Sequence, residues 1–372
     1  MISPSRPDYI RQEKHIIAEA SDVAAARRAG NALARAIGFD EVRTGQLAIL
    51  ITEAGTNILK HANSGEILLR KVLRSGAAGI EVLAIDKGPG ISNVARHMQD
   101  GHSTAGSYGV GLGAMRRLSQ QFDLYTLPGQ GTVLMMTVWG PPAAGVFVRP
   151  AQWQVGAVCL PLASEEISGD AWNAVCEADE ITVMMADGLG HGPLAAEPSE
   201  TAAVLLEQAA PGLAPLPASF LQLAHGALRS TRGAAMGVTH IDAGRGELRF
   251  AGVGNISGYV IGHGHERNHR HLLSHNGIVG TNLRKVQEFV HPWQADSVLL
   301  MHSDGLHTRW DLDLYPGLLH CHPSLIAAVM YRDFSRQRDD VSVVVARQMP
   351  EDDQHEQHEQ NHQPPQTTGE TS

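Results

Sequence analysis

Leu47, Leu50, Ile51, Ala54 and Ile58 recur at helical spacing, which predicts a helix over about 40–62. An Ala- and Leu-rich helix precedes it, with Ser21 as the expected N-cap and Gly38 as the expected stop. Four short apolar runs then predict strands at 66–72, 80–86, 122–126 and 132–139. A glycine-rich loop and a helix over about 114–120 separate the second run from the third. The order helix, helix, strand, strand, loop, helix, strand, strand predicts an α+β sandwich with one covered sheet. Gly140-Pro141-Pro142-Ala143-Ala144-Gly145 interrupts the pattern and is the expected linker.

Beyond it the runs are mostly of β type, at 155–160, 174–177, 181–186, 236–242, 247–253, 297–302 and 341–346. Helical stretches over about 194–208 and 217–230 lie among them. Such an order predicts a β-sandwich flanked by helices. From 351 to 372 the chain is Gln, Glu, His and Pro with almost nothing to bury, so that tail is expected to be disordered.

Composition narrows the function. The 372 residues suffice for two ordinary cores, and 43% apolar against 18% charged residues fits a largely globular chain. The net charge of −10, with no long basic run, argues against a nucleic-acid footprint and against a polybasic membrane anchor. Polyanionic ligands must then be held by glycine-rich backbone, single cations or metals. Cys159, Cys176 and Cys321 are odd in number and widely spaced, which predicts buried free thiols in a reducing compartment. The polar first residues resemble no signal peptide, and no stretch approaches a membrane span, so a cytoplasmic protein is expected.

Any nucleotide site must work without a P-loop, because none of the lysines follows a glycine. Glu53 and Asn57 are four apart and share one helix face, pairing a carboxylate suited to general-base work with an amide oxygen suited to Mg²⁺. A polar stripe on a solvated helix would look the same. Asp86 ends an apolar strand and precedes Lys87-Gly88-Pro89-Gly90, where a carboxylate could accept a bond from an exocyclic amine while Gly88 and Gly90 leave room for a flat ring. A simple turn is the alternative. The loop from Ser103 to Gly113, with Gly109, Gly111 and Gly113, opens a helix and can offer backbone N–H groups to phosphate oxygens. A dinucleotide fingerprint would need a strand immediately before these glycines, and a polar loop stands there instead.

In this order the three segments resemble the N, G1 and G2 boxes of GHKL ATPases, over about residues 10–140. The run from Asp100 to Gly113 is most similar to the anti-sigma-type serine kinases of the RsbT kind. The resemblance implies an α/β sandwich binding ATP with Mg²⁺. Glu53 would be the base, Asn57 the Mg²⁺ ligand and Asp86 the adenine contact. Gly88 and Gly90 would line the base, and Gly109, Gly111 and Gly113 would form the lid over the triphosphate. Nothing resembles the phospho-accepting histidine helix of sensor kinases, which favours direct transfer to Ser or Thr. A STAS-domain regulator of the anti-anti-sigma or stressosome type is the implied partner, with a downstream effector as a further candidate.

In the second half, Asp-Gly or Gly-Asp elements recur at strand ends: Ser168-Gly169-Asp170, Asp187-Gly188-Leu189-Gly190-His191-Gly192, Ser303-Asp304-Gly305, and the related Asp339-Asp340-Val341-Ser342. Carboxylates without Cys or a histidine pair select hard cations, and two such ions can lower the pKa of a shared water and clamp a phosphoryl group. Any one Asp-Gly is more often a turn. Together with Glu165-Glu166-Ile167 and Gly252-Val253-Gly254-Asn255, the order resembles PPM-type phosphatases over about 150–347, with the SpoIIE branch and its RsbX-like form nearest. Carried over, Asp170, Asp187, the Gly188 carbonyl, Asp304 and Asp339 would hold two Mn²⁺ or Mg²⁺ ions, with Asp340 the alternative to Asp339. Ser168 departs from the glycine often found before Gly-Asp. No arginine near the start of this half is an obvious phosphate clamp; Arg149 is the nearest.

His263, His265, His269, His271 and His275 cluster without cysteine among Arg and Asn, which suits a solvated hairpin tip better than zinc. His355, His358 and His362 fall in the tail. His191 is open to two roles, general acid or turn packing. The resulting expectation is a bifunctional switch that phosphorylates a STAS-type partner and dephosphorylates phosphoserine or phosphothreonine. The alternatives are an ATP-dependent binding module that sequesters or activates a partner, and a phosphatase with a nucleotide-sensing domain.

Overall fold

The computed structural model describes residues 11–74, 76–98, 111–142, 152–208, 216–262 and 269–349. The first part runs β1 (Gln12–Ile17), α1 (Ala20–Ala36), α2 (Glu41–Ala62), β2 (Gly65–Arg74), β3 (Ala77–Asp86), α3 (Val94–His97), α4 (Leu112–Leu118), β4 (Gln121–Leu127) and β5 (Gly131–Pro142). The second runs β6 (Trp153–Leu160), β7 (Asp170–Glu177), β8 (Glu180–Gly188), α5 (Pro193–Glu207), α6 (Pro217–Ala227), β9 (Ala234–Asp242), β10 (Glu247–Val253) and β11 (Ser257–Ile261). It ends with β12 (His269–Leu272), β13 (Phe289–Pro292), β14 (Val298–His302), α7 (Pro323–Phe334) and β15 (Val341–Gln348).

The strands form three five-stranded antiparallel sheets, ordered β1-β2-β3-β5-β4, β13-β10-β9-β8-β7 and β12-β11-β14-β15-β6. The α+β expectation holds. In the first sheet, Ile67, Leu69, Val82, Leu134 and Met136 pack under α1 and α2. Their neighbours Leu68, Leu83, Val133 and Met135 face the other way, into a cluster shared with α7 and the third sheet. Period-two alternation explains the split, and burial of both faces explains why these strands are nearly all apolar. The other face of the third sheet packs on the second sheet, whose core includes Met185, Met236, Phe250, Met301 and Val344 together with α5 and α6 residues.

Helix α7 therefore lies between two sheets, and every residue from Pro323 to Arg332 is buried. Its centre, Leu325 to Met330, is an unbroken apolar run, which in a chain of many short apolar runs does not by itself distinguish a buried helix from a strand. Its start presses so closely on β6 that a Cβ at Gly156 would collide with the Ser324 backbone. Around it sits a buried polar network. Arg70 lies directly opposite Glu81 on β2 and β3 and donates to it at 2.7 Å, while Ser324 Oγ donates to the second Glu81 oxygen at 2.5 Å. The Arg70 guanidinium also lies 5.4 Å from the Trp172 ring centroid. Further along α7, Tyr331 donates to Glu66 at 2.8 Å and Arg332 Nη1 reaches the Asp86 carbonyl at 3.4 Å.

Several expectations are corrected. Glu19, not Ser21, caps α1, because its side chain and that of Asp22 form a reciprocal capping box; Ser21 lies inside the helix and donates to Glu19. Gly38 does follow the helix end, with φ of +78°. Gly140, Pro141 and Pro142 extend β5 rather than acting as a linker, with Pro142 opposite Ala77 at the sheet end. Ala143, Ala144 and Gly145 lie outside the described residues, as does the tail from 350. All three cysteines are free, but only Cys159 is buried; Cys176 is exposed and Cys321 intermediate. Among the described residues, no helix is long and apolar enough to cross a membrane.

Candidate active sites

The first site forms where the end of β3 meets α2 and the β4–β5 hairpin. Asp86 Oδ1 accepts from Gly88 N–H at 2.8 Å and from Thr132 N–H at 3.1 Å, which fixes the carboxylate at the strand end. Gly131 has φ of +90°, and a Cβ there would collide with the Asp86 carbonyl oxygen. Gly90, at φ of +71°, leaves no room for a Cβ beside the Leu127 carbonyl. Gly88 packs against Ala62 at the end of α2, so the loop after Asp86 closes onto the helix that carries Glu53 and Asn57. Those two are partly buried and one turn apart. Gly111 stands as the N-cap of α4 and Gly113 is buried within it; Gly109 lies outside the described residues. Sequence reasoning missed Gly131 and Thr132, although Gly129-Gln130-Gly131-Thr132 between two strand runs was a usable signal.

The second site lies at one end of the sandwich. In the β7–β8 hairpin, Asp170 sits directly opposite Asp187, a like-charge pairing that opposes folding unless something neutralises it. Asp304 follows β14, and Asp339 precedes the neighbouring strand β15. The two sheets are joined there by Ser342 Oγ, which donates to Asp170 Oδ2 at 2.7 Å. Asn255, in the turn after β10, donates its amide to Asp304 Oδ2 at 2.7 Å and to Asp187 Oδ2 at 3.4 Å. One N–H₂ group thus marks where carboxylate oxygens from both sheets converge. Asp170, Asp187 and Asp304 are tied together in this way, and Asp339 lines a cavity of about 470 Å³ with Asp304.

Burial first, then the charges of Asp170, Asp304 and Asp339, pushes the Asp187 carboxyl well above the usual range. Burial likewise raises Asp170, with Asp340 and Asp304 adding to it against the hydrogen bonds from Ser342 and Ser303. A cation would relieve both effects. The donors are carboxylates, a set that fits a hard divalent ion. Among the described residues, no three His, Cys, Asp or Glu side chains already surround a single point.

The adjacent aspartates divide sharply. Asp340 is 3% exposed, and its oxygens accept from Leu162 N–H and Gly169 N–H, both at 2.7 Å. Asp340 therefore holds two loops in place, while Asp339 is exposed and faces the cluster. Ser168 also has a local role, since its hydroxyl accepts from Asp170 N–H at 3.1 Å and shapes the turn before β7. His191 Nδ1 lies 2.6 Å from Glu165 Oε1, with the imidazole 60% exposed, so its ring is oriented by a carboxylate rather than packed into the turn. The expected histidine tip is partly a strand: His269 and His271 belong to β12, and His271 rests against Tyr259. His263, His265 and Arg149 lie outside the described residues.

Residues 16–138 match the model of the histidine kinase-like ATPase domain family. Over 118 residues the chain is 36% identical to the serine/threonine-protein kinase RsbT of Bacillus subtilis (strain 168), covering 32% of this chain and 89% of that protein. The chain belongs to the RsbT family. Residues 177–348 match the model of the Stage II sporulation protein E (SpoIIE) family, so the RsbT-like part is followed by a SpoIIE-type phosphatase domain. Among solved structures, RsbX in complex with magnesium aligns at 20% identity and a TM-score of 0.46, over 53% of this chain and 96% of that one. The phosphatase domain of SpoIIE from Bacillus subtilis, with a fragment of its regulatory domain, aligns at 17% identity and 0.45, over 88% and 96%. This RsbT-family member thus joins a kinase-type ATPase domain to a SpoIIE-type phosphatase domain.

Proposed function

We propose that the chain is a switch protein that runs both directions of one modification, phosphorylating a STAS-type partner on Ser or Thr and hydrolysing phosphoserine or phosphothreonine. The observation that carries it is the placement of both sites along α7. Arg332 on this helix meets the Asp86 carbonyl, and the loop that leaves the helix bears Asp339. In this reading residues 10–140 form the kinase unit and 150–347 the phosphatase unit, in a cytoplasmic protein.

In the kinase unit, Glu53 would take the proton of the partner hydroxyl, Asn57 would hold Mg²⁺ and Asp86 would orient the adenine. Gly88 and Gly90 would keep the base pocket open, and the glycine loop with Gly111 and Gly113, and with Gly109 outside the described residues, would cover the phosphates. In the phosphatase unit, Asp170, Asp187, Asp304, Asp339 and the Gly188 carbonyl would hold Mn²⁺ or Mg²⁺, and such ions would supply Lewis acidity and an activated water. Asn255 orients Asp187 and Asp304 toward that point. In this reading His191, its ring steadied by Glu165, would give a proton to the departing serine oxygen.

The test is Mn²⁺-dependent hydrolysis of an aryl phosphate by the intact chain. Asp187→Asn and Asp304→Asn are each expected to abolish it, and full activity in either variant contradicts the ligand assignment. A second reading, in which ATP only shapes a binding or sensing surface, draws support from the same α7 link between the sites. Unchanged transfer to the partner by Glu53→Ala would remove Glu53 as the base.

A further inference from the structure

A phosphomonoester must approach the four aspartates of the second site with its own negative charge, yet the start of this half offers no obvious arginine to receive it. The cavity beside the cluster supplies one elsewhere. Its walls are Asp304, His307, Arg336, Arg338 and Asp339, so two arginines border the same space as two candidate metal ligands.

The backbone holds them there. His307 N–H donates to the Phe334 carbonyl at 2.8 Å, and Arg336 N–H donates to the Gly305 carbonyl at 2.9 Å. A bridge between Leu306 and Ser335 completes the lacing, so the segment after α7 runs beside the Asp304 loop. Between the two arginines Gln337 adopts φ of +55°, a left-handed conformation unusual for a residue other than glycine, with its N–H on Ser335 Oγ at 3.3 Å. Local strain of this kind persists where the surroundings fix it, and it gathers at functional sites.

Charge completes the picture. Arg43, Arg70, Arg249 and Arg332 all pair with carboxylates. Arg336 and Arg338 are exposed, and among the described residues neither enters an ion pair although Asp304 and Asp339 line the same cavity. Unpaired guanidinium forks beside a carboxylate cluster suit a ligand that brings its own oxygens, and guanidinium matches phosphate geometry with two parallel bonds.

We propose that Arg336 and Arg338 are the phosphoryl-binding residues of the phosphatase site, gripping the phosphomonoester oxygens that face away from the aspartates. The assignment rests on the phosphatase reading but concerns substrate binding alone. The arginines orient the phosphoryl group, and the carboxylates hold their cations without them.

The test uses the intact chain with Mn²⁺ and the variants Arg336→Gln, Arg338→Gln and their double. KM and kcat are measured for an aryl phosphate and for a phosphoserine peptide. Binding of inorganic phosphate and of Mn²⁺ is followed by calorimetry. Each single change is expected to raise KM and weaken phosphate binding by about 10- to 100-fold, the size of a charge-assisted hydrogen bond. The factor is expected to be equal for both substrates, with Mn²⁺ affinity unchanged and Lys restoring only part of the loss. Unchanged phosphate affinity overturns the proposal. So does a loss confined to the peptide, which would place a partner's acidic side chain on these arginines, and so does a parallel loss of Mn²⁺ binding. If the unaltered chain hydrolyses neither substrate, the phosphatase reading fails, and phosphate calorimetry still decides the arginine assignment.

Discussion

Replacing Glu81 by Ala removes the centre of the polar network beneath α7. The Glu81 carboxylate is buried and binds Arg70 through one oxygen and Ser324 through the other. Its loss leaves a guanidinium whose side chain is 4% exposed without its counter-ion. Breaking a buried pair from one side costs about 3–5 kcal/mol, because the remaining charge stays out of water. The Ser324 bond overlaps with that figure and is not added to it, since the groups act as one network. Replacing both partners, Arg70→Met with Glu81→Leu, is expected to restore most of the loss, since an apolar pair of similar size is often neutral there. The assay is urea unfolding followed by tryptophan fluorescence, to which Trp172 beside Arg70 contributes with the other four tryptophans. The network joins the first sheet to α7, so nucleotide binding and phosphatase activity are expected to be lost at a common, lowered midpoint. A loss below about 1 kcal/mol, the range of an exposed ion pair, would refute the reasoning.

Other outcomes follow from single contacts. Asp340→Ala leaves the Leu162 and Gly169 N–H groups unpaired and is expected to lower stability by about 2–5 kcal/mol in thermal melts. Asp339→Asn is expected to shift stability by no more than about 0.5 kcal/mol while abolishing Mn²⁺-dependent hydrolysis. Gly131→Ala forces a Cβ into a left-handed position against the Asp86 carbonyl, so affinity for a fluorescent ATP analogue is expected to fall about tenfold or more. Burial, then Arg347, Arg70 and Arg74, pushes the His322 imidazole down to about 3 from its ordinary 6.5. Between those values the unfolded chain binds the proton and the folded chain does not. Its contribution is therefore full above pH 6.5 and is lost as pH falls toward 3. His322→Asn keeps a cap acceptor for Ser324 N–H and is expected to flatten the fall in stability between pH 7 and 5.

Much of this was legible in the chain because period and punctuation carry local information. The helix over Glu41–Ala62 and the paired strands before Asp86 follow directly from apolar spacing. Glycines beside Asp86, Asp170, Asp187 and Asp304 flagged the strand ends where side chains converge. Other features depend on tertiary structure. Helix α7 has a short, unbroken apolar run at its centre because two sheets cover it, and β1 is short and opens with mostly polar residues at the sheet edge. Asp339 and Asp340 are equivalent in sequence and differ only in what their carboxylates meet. Arg336 and Arg338 carry no motif, and their place beside Asp304 arises from backbone bonds between segments about thirty residues apart.

The central claim is two opposed phosphate chemistries on one chain, and the intact mass of a candidate STAS-domain partner tests it most directly. The partner is incubated with Mg-ATP and the Asp187→Asn chain, then with the unaltered chain and Mn²⁺. One phosphoryl group is expected to be added in the first step, removed in the second, and never added when Glu53 is Ala. Addition that persists unchanged in Glu53→Ala, or a phosphopartner left intact by the unaltered chain with Mn²⁺, would contradict the account.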